Sequence, residues 1–526
     1  MSKIVAALLF PLLMNFSGPA LAGDDLAADD SPPADMVSAP SSDALRNHLS
    51  KRDDTGIRGQ VASFYATRDF KPAWIDPHVN GEVDDVLSHA GDQGLRPQDY
   101  SVSAKLKGAD REIARTEALF RYAYDVRLGR VAPGRVYKDV RLPPSTFDFG
   151  WMLSQALAHH SVPAMLAALP PPQPEYRGLV AALQRYRDVV TAGGWPAVTA
   201  KNTAGLAHRL ALEDSAFSEI IDPSDVDVAA AVTRFQERNG LPVDGHAGPA
   251  TLKQLNIPAS ARVKAIIASM ERWRWMPRNL ETRYIRVNVP DQSADYVVGQ
   301  HVVLHSKVVI GKASTPTPIL RTEVRAIVAN PAWDIPGDIA ARQVLPHLRR
   351  DKNYLQTRGF VLVSGPGVDW RKLPANQVAL QQPPGPDNVL GRIMLDMPND
   401  FDVYLHDTPN KKLFTQANRE ASNGCVRVEK IAALASLVLT NDPTDGKETI
   451  DEAIATGDTT KITLDHPLAV YIVYSTAIAD ANGNTGFRPD IYNRDAPLLA
   501  TMAKPSASNT MAPQRPQRPR KPARQS

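Results

Sequence analysis

One cysteine occurs in the whole chain, and its surroundings contain the residue types of an acyl-transfer site. Cys425 lies in the stretch 422–427, which reads SNGCVR, and His406 comes nineteen residues earlier. A thiol attacks an amide carbonyl only as its thiolate, and a free cysteine is mostly protonated at neutral pH. A nearby imidazole can take that proton and later return it to the leaving amine. The pair therefore predicts a thiol nucleophile, Cys425, with His406 as proton acceptor and donor.

The residues next to Cys425 suit such a site. Arg427 would lower the pKa of the thiol or bind an anionic substrate. Gly424 permits a tight turn and a close approach of the backbone. Backbone N–H groups around Asn423, Gly424 and Cys425 could then form an oxyanion hole. A lone cysteine can also be inert and buried, or form an intermolecular disulfide, and the spacing to His406 alone does not exclude these alternatives.

Three further side chains near Cys425 and His406 are candidates for supporting roles in the site. Tyr404 is expected either to line the substrate pocket or to be an ordinary core aromatic. Ser422 either hydrogen-bonds near His406 or caps the turn, and a supporting role is favoured. Asp407 follows His406 on a predicted strand, where successive side chains point to opposite faces. We therefore expect a backbone carbonyl, and not Asp407, to orient the imidazole.

The secondary-structure pattern that must position these residues changes along the chain. Residues 54–220 have a mainly helical pattern, for example the amphipathic run 117–128. Strand patterns dominate in 281–480 and include the stretch 403–406, which ends at the histidine. Within this part, residues 335–396 are predicted to form an inserted, mostly helical lobe. The pattern predicts an α+β chain of several domains.

Composition limits the classes of protein. The chain has 526 residues, of which 43% are hydrophobic and 22% charged, a balance that supports a sizeable core. The net charge is +3, and part of the positive excess lies in the C-terminal tail. A nucleic-acid-binding domain would need a basic folded face with aromatic residues, which this charge balance does not indicate. No apolar run is long enough to form a transmembrane helix, so no transmembrane helix is predicted.

Both ends of the chain are predicted to lie outside the folded part. Lys3 precedes the apolar stretch 4–16, and Ala20-Leu21-Ala22 follows as an Ala-x-Ala cleavage site. This order is typical of a secretory signal peptide, residues 1–22, and predicts export. Residues 23–53, rich in Asp, Ala, Ser and Pro, are predicted to be a flexible lead-in. Residues 504–526 are predicted to be a disordered, basic, Pro-rich tail.

A helix–turn–helix pattern precedes the strand-rich part. Apolar residues recur at helical spacing before Asn239-Gly240, and a second helix is predicted from Pro249. A plain helical hairpin would explain many of these positions. The whole pattern also resembles a small helical peptidoglycan-binding module, at residues 221–260. The matching residues are Ala231, Val232, Phe235, Gln236, Gly240, Leu241, Asp244, Gly245, Gly248, Thr251 and Leu255.

The stretch around the cysteine resembles the L,D-transpeptidase catalytic domain, often called the YkuD domain. That family's signature is a His at a strand end, followed about eighteen residues later by Ser-x-Gly-Cys-x-Arg. The matching residues here are His406, Ser422, Gly424, Cys425 and Arg427. Many family members carry a second His where this chain has Asn423, so the resemblance leaves His406 as the base by itself.

The resemblance extends along most of the chain, in the order of the large YcbB-type members. It includes the stretches 309–312, 315–318, 330–336, 384–391 and 397–399, and the N-terminal helical part. It implies a helical scaffold domain at 54–220, the peptidoglycan-binding module at 221–260 and a β-rich catalytic domain at 281–480 with residues 335–396 as an inserted lid lobe.

What the resemblance implies is a specific reaction in the periplasm. Cys425 would attack the carbonyl at the L-centre of the diamino acid at position three of a peptidoglycan stem peptide. D-Alanine would leave, protonated by His406, and a thioester would remain. An amine on a second stem would then attack and give a 3→3 cross-link. Arg427 and Tyr404 would contact the substrate, and Ser422, Asn423 and Gly424 would support the oxyanion site.

The same resemblance sets the expected partners and the alternatives. The partners would be a donor tetrapeptide, an acceptor amine and other cell-wall enzymes, and no nucleic acid, cofactor or metal is expected. Carbapenems, which acylate related enzymes, should acylate this one. Water as acceptor would make the protein an L,D-carboxypeptidase, and a chain that has lost activity would be a wall-binding scaffold. A papain-like protease is disfavoured, because its His follows the Cys.

Overall fold

The computed structural model describes residues 39–50, 55–199, 202–351, 353–363, 369–374, 377–440 and 443–505. The predicted signal peptide and all but the first two residues of the predicted basic tail lie outside these residues. In the described part of the chain, no helix is both long enough and apolar enough to cross a membrane.

The first half of the described chain is helical, as predicted. The longest described helix buries Leu119, Ala123 and Val126 at helical spacing and ends where Gly129 adopts a φ of 93°. The helices are α1 (Ser42–Leu49), α2 (Gly56–Ala66), α3 (Pro77–Ser88), α4 (Gly108–Leu128), α5 (Phe149–Ala158), α6 (Val162–Ala167), α7 (Pro174–Thr191), α8 (Thr203–Ala211), α9 (Ser215–Ser218), α10 (Asp225–Arg238), α11 (Pro249–Leu255) and α12 (Ala259–Arg274).

Helix α1 corrects one expectation. It lies within residues 23–53, which were predicted to be a flexible lead-in. The Ser41 side chain caps its N-terminus, and Leu45 and Leu49, four residues apart, are buried in the core of the N-terminal helices. Two apolar residues on one helix face suffice here because the neighbouring helices already supply the rest of the core.

The predicted helical hairpin forms α10 and α11. A capping box between Ser224 and Asp227 starts α10, and Pro249 occupies the first turn of α11. Phe235 and Leu255 meet in a common apolar core, which also includes residues of α8. The hairpin is therefore packed together with residues that lie before 221.

The strands form one large sheet and two small ones. They are β1 (Val140–Arg141), β2 (Arg283–Asn288), β3 (Ser293–Val298), β4 (His301–Gly311), β5 (Ile319–Ala329), β6 (Trp333–Ile335), β7 (Val361–Leu362), β8 (Leu380–Gln382), β9 (Ile393–Asp396), β10 (Leu405–His406), β11 (Glu420–Ser422), β12 (Val426–Val428), β13 (Thr460–Val473), β14 (Ala477–Ala479) and β15 (Thr485–Phe487).

The large sheet runs β1-β5-β13-β2-β3-β4-β12-β10-β9, and β9 also pairs with β5, so that the sheet closes on itself. Its side chains fill the largest apolar core of the chain. Helices α16 (Ile431–Leu439), α17 (Pro443–Ala455) and α18 (Asp495–Met502) complete the element order. Helix α18 lies beyond the predicted limit of 480 for the catalytic domain.

The lid lobe differs in part from the prediction of a mostly helical insertion. Its helices, α13 (Gly337–Ile339), α14 (Leu345–Leu348) and α15 (Tyr354–Thr357), are short, and a π-helical turn at Ala340–Val344 joins the first two. A three-stranded sheet, β6-β8-β7, accompanies them. Strands of two or three residues are too short to give a periodic pattern, and for that reason the sequence did not reveal them.

Candidate active site

Two neighbouring strands place the predicted residues on one surface. Strand β10 pairs in parallel with β12, with Leu405 opposite Val426 and His406 opposite Arg427. Side chains alternate along each strand, and residues opposite each other share a face. His406 and Arg427 therefore project from one face, while Leu405 and Val426 project from the other, where both are fully buried in the core.

The same alternation includes Cys425, the predicted nucleophile. Tyr404 lies two residues before His406, and Cys425 lies two residues before Arg427. The Val426 N–H donates to the Tyr404 carbonyl at 2.9 Å, which keeps this register up to the start of β12. The structure therefore brings Tyr404, His406, Cys425 and Arg427 to one face of the sheet.

A tight turn, residues 422–425, carries the cysteine, and we call it the catalytic turn. The Ser422 hydroxyl donates to the Cys425 carbonyl at 2.6 Å and accepts from the Gly424 N–H at 3.1 Å. Gly424 has a φ of 121°, which side-chain-bearing residues rarely adopt. Of the two roles expected for Ser422, these bonds match the cap of the turn.

The turn narrows the choice of oxyanion donors. The sequence suggested that the Gly424 N–H could be an oxyanion donor. In the structure this N–H already donates to the Ser422 hydroxyl, so it is not free for that role. The Cys425 N–H has no hydrogen-bond partner among the described residues. It belongs to the same residue as the predicted nucleophilic sulfur, and an oxyanion donor is needed close to such a sulfur.

A loop at residues 311–318, which we call the rear loop, holds the turn from behind. The Lys312 N–H donates to the Ser422 carbonyl at 3.1 Å, and the Thr315 hydroxyl donates to the same oxygen at 3.3 Å. The Thr317 hydroxyl donates to the Gly424 carbonyl at 2.8 Å. The sequence singled out the run 315–318 only as part of the resemblance, and no local signal indicated these contacts.

His406 is buried and electrically neutral at neutral pH. It is 3% exposed. Burial, together with the charge of Arg427, lowers its pKa from 6.5 to about 4, although the backbone of Asp407 and Leu390 opposes this shift. Its Nδ1 has no hydrogen-bond partner among the described residues. A neutral imidazole can accept a proton, which is what a general base requires.

Cys425 is half-buried and favours the thiol form. Burial raises the pKa of the thiol, an effect that the Tyr404 backbone and the charge of Arg427 partly oppose. The Cys425 thiol lies 3.7 Å from the Asp402 carbonyl, and the Asp402 side chain also raises its pKa. Asp402 was not anticipated from the sequence. Thiol and imidazole are thus both uncharged at rest.

The two predicted substrate-binding residues lie beside this pair. Arg427 is half-buried, and burial lowers the pKa of its guanidinium, which the Cys425 thiolate would raise. Its Nε has no partner in the described structure. Burial and Asp402 raise the pKa of Tyr404 to about 12, so its hydroxyl stays protonated. Tyr404 lies on the site's face and not in the main core.

Asp407 points away from the imidazole, as strand alternation predicts. Its carboxylate accepts from the Arg392 N–H at 3.0 Å and forms an ion pair with Lys411. A side chain at Gly391 would overlap it, so this glycine is needed for the close approach. Asp407 therefore fixes the loop before β9.

Among the described residues, a polar pair joins the lid lobe to the catalytic turn. The exposed Asn423 side chain accepts a hydrogen bond from Gln343 Nε2 at 3.1 Å. Gln343 lies in the π-helical turn, a feature often found at functional sites. Pro346, which lacks an N–H, follows within α14 and prevents a regular helix from continuing through this segment. Nothing in the sequence pattern pointed to Gln343.

Among the described residues, no group of three or more His, Cys, Asp or Glu side chains is placed to hold a metal ion.

Three family models match successive parts of the chain. The model described as "Scaffold domain" matches residues 59–183, and the "Putative peptidoglycan binding domain" matches 215–255. The "L,D-transpeptidase catalytic domain", YkuD, matches residues 282–459 and includes both His406 and Cys425. The order of the three is the order expected from the sequence.

Individual proteins show the same likeness over part of the chain. A "Putative L,D-transpeptidase" of Haemophilus influenzae is 32% identical over 219 residues, which are 40% of this chain and 44% of that protein. The chain thus matches less than half the length of this relative.

Two solved structures have lower similarity. The L,D-transpeptidase (Yku) from Stackebrandtia nassauensis has 15% identity and a TM-score of 0.21, covering 52% of this chain and 92% of its own. A cysteine-to-serine mutant of the Enterococcus faecium L,D-transpeptidase has 13% identity and a TM-score of 0.18, covering 52% and 100%. Residues 282–459 thus match the L,D-transpeptidase catalytic domain, and they follow matches to a scaffold domain and a peptidoglycan-binding domain.

Proposed function

We propose that the protein is a cysteine L,D-transpeptidase that forms 3→3 cross-links between peptidoglycan stem peptides and releases D-alanine. The observation that carries this proposal is the pairing of β10 with β12, which puts a neutral His406 and the only cysteine on one face. The family of the catalytic domain supports the same reaction class.

The uncharged resting pair suits a mechanism in which proton transfer accompanies attack. The Cys425 sulfur bonds to the carbonyl carbon of the donor stem while its proton passes to His406. The carbon–nitrogen bond to D-alanine then breaks, and His406 returns the proton to the leaving amine. Atoms balance: a thioester and free D-alanine replace the amide and the thiol.

The second half-reaction repeats this proton exchange. The amine of the acceptor stem attacks the thioester carbon and gives its proton to His406, which passes it to the departing Cys425 sulfur. The new amide is the cross-link, and the free thiol is restored. With water as the attacking group the product is a shortened stem peptide.

Arg427 and Tyr404 are proposed to contact the donor stem. The guanidinium is half-buried, and its Nε has no partner among the described residues, so it offers a desolvated cation at the site's rim. The protonated Tyr404 hydroxyl can donate a hydrogen bond. A stem peptide carries carboxylates, which suit both groups.

The domain order supports the proposed setting. We propose that residues 1–22 direct export, that the chain works in the periplasm, and that α10 and α11 bring it to peptidoglycan. The proposed limits are 54–220 for the scaffold, 221–260 for the peptidoglycan-binding module and 281–480 for the catalytic domain, with the lid lobe at 335–396.

The test is incubation of the full mature chain with disaccharide-tetrapeptide, followed by mass spectrometry of products and protein. Dimers linked 3→3, with an equivalent of D-alanine and no dimers from Cys425→Ala, would support the proposal. Tripeptide without dimers would assign a carboxypeptidase. Neither product, and no carbapenem adduct on a folded protein, would refute an enzymatic role and favour a wall-binding scaffold.

A further inference from the structure

We infer that Thr317 is a positioning residue that aims the Cys425 N–H at the oxygen of the carbonyl under attack. This inference rests on the proposed function. It adds to that function a buried hydroxyl outside the signature motif, on the rear loop, as the group that orients the oxyanion donor.

The first step concerns the peptide group between Gly424 and Cys425. A peptide bond is planar, and in its trans form the C=O and N–H point in opposite directions. No cis peptide bond occurs in the described structure. The Thr317 hydroxyl bonds to the Gly424 carbonyl oxygen at 2.8 Å. A bond that fixes this oxygen therefore also fixes the direction of the Cys425 N–H.

The second step concerns the proton of that hydroxyl. Thr317 Oγ1 accepts a hydrogen bond from the Gly311 N–H at 2.9 Å, so its own proton is free to point at Gly424. Thr317 is completely buried, and water does not compete for either bond. Its own N–H donates to the Tyr492 hydroxyl at 3.3 Å, which holds the threonine backbone.

The third step is the absence of another anchor for this peptide among the described residues. The Gly424 N–H and the Cys425 carbonyl are both bonded to Ser422, but these groups belong to the peptides on either side. The Cys425 N–H itself has no partner in that part of the chain. Since Gly424 has an unusually free backbone, the peptide would rotate readily without Thr317.

The test separates orientation of the donor from reactivity of the sulfur. Acylation by a carbapenem develops an oxyanion, whereas alkylation by iodoacetamide needs only the thiolate and develops none. Loss of an oxyanion donor slows acyl transfer roughly 10²- to 10³-fold. Since Thr317→Val misdirects this donor but does not delete it, we expect acylation about 10- to 100-fold slower.

The experiment uses the full mature chain and three variants. Thr317→Val removes the hydroxyl at constant shape, and Thr317→Ser retains it. Thr322→Val is the matched control, because the Thr322 hydroxyl also donates to a backbone carbonyl at 2.8 Å, that of Pro398, which is not part of the catalytic turn. Acylation rates, alkylation rates from pH 6 to 10 and near-ultraviolet circular dichroism are recorded for each.

The inference predicts slow acylation by Thr317→Val with an unchanged alkylation profile, and near-parent rates in Thr317→Ser and Thr322→Val. Equal acylation by Thr317→Val and the parent would overturn it, as would equal losses of acylation and alkylation. If Thr317→Val does not fold, slow acylation by a folded Thr317→Ser overturns it, and parent-like acylation supports it. If the parent protein forms no carbapenem adduct, the proposed function is refuted, and the inference, which rests on it, is refuted too.

Discussion

Burial of a neutral His406 should make the stability of the catalytic domain depend on pH in a predictable way. The imidazole is 3% exposed, and its pKa is about 4 in the folded protein compared with 6.5 for a free histidine. Between these values the unfolded chain binds a proton that the folded chain does not. Stability therefore rises with pH through this window, and the contribution is lost as pH falls from about 6.5 to 4.

The size of the effect follows from the two pKa values. The folded and unfolded pKa values differ by about 2.5 units, and one unit corresponds to about 1.4 kcal/mol. Below pH 4 the free energy of unfolding is therefore lower by about 3 kcal/mol. At pH 5 the unfolded form is mostly protonated and the folded form is not, so the loss is about 2 kcal/mol.

The measurement is urea unfolding of the parent and of His406→Gln at pH 7.5 and pH 5. The variant removes the titrating group but leaves every other ionisable residue, so the difference between the two pH dependences isolates His406. We expect the parent to lose about 2 kcal/mol more than the variant between these pH values. Parallel losses would refute the argument that this imidazole is held neutral by burial.

Three further changes test other parts of the site. Arg427→Gln removes a charge that lowers the pKa of Cys425, so its iodoacetamide alkylation curve should move to higher pH, and a downward move would contradict this. Gly424→Ala should cost about 1–3 kcal/mol in urea unfolding because of its φ of 121°, whereas Gly134→Ala, with open space around it, should cost little. Gln343→Ala should leave global stability within about 0.5 kcal/mol but quicken hydrogen exchange in the lid lobe, and unchanged exchange would show that its bond to the catalytic turn does not hold the lobe.

The sequence was most informative where a pattern repeated many times or where a residue type was rare. Helix α4 was predicted because apolar residues repeat over several turns. Cys425 was conspicuous as the only cysteine, and the strand stretch before it gave His406. That both reach one face depends on the pairing of two short strands, which no local pattern encodes.

The sequence was least informative where a residue acts through a contact distant along the chain. Thr317 reaches Gly424 across 107 positions, and Gln343 reaches Asn423 across 80. Asp402 lies near the sulfur because the backbone before β10 turns toward it. Each of these residues is of a common surface type, and only tertiary structure makes it part of the site.

The helical part and the large sheet contact each other at two places far apart along the chain. Strand β1 of the helical part pairs with β5 and extends the large sheet. Arg130, which follows α4, is buried and donates to the carbonyls of Met502, the last residue of α18, and of Lys504, just after it.

This connection has a consequence for how the chain folds as it is made. The guanidinium of Arg130 needs acceptors that are 372 and 374 residues further along the chain. A ribosome delivers the early helices first, and until residues 502–504 emerge the guanidinium has only its earlier partners, among them Asp99 and Asp125. The last helix then acts as the closing step of assembly, and a fragment that stops short of α18 should remain trapped in a loosened, incompletely docked form.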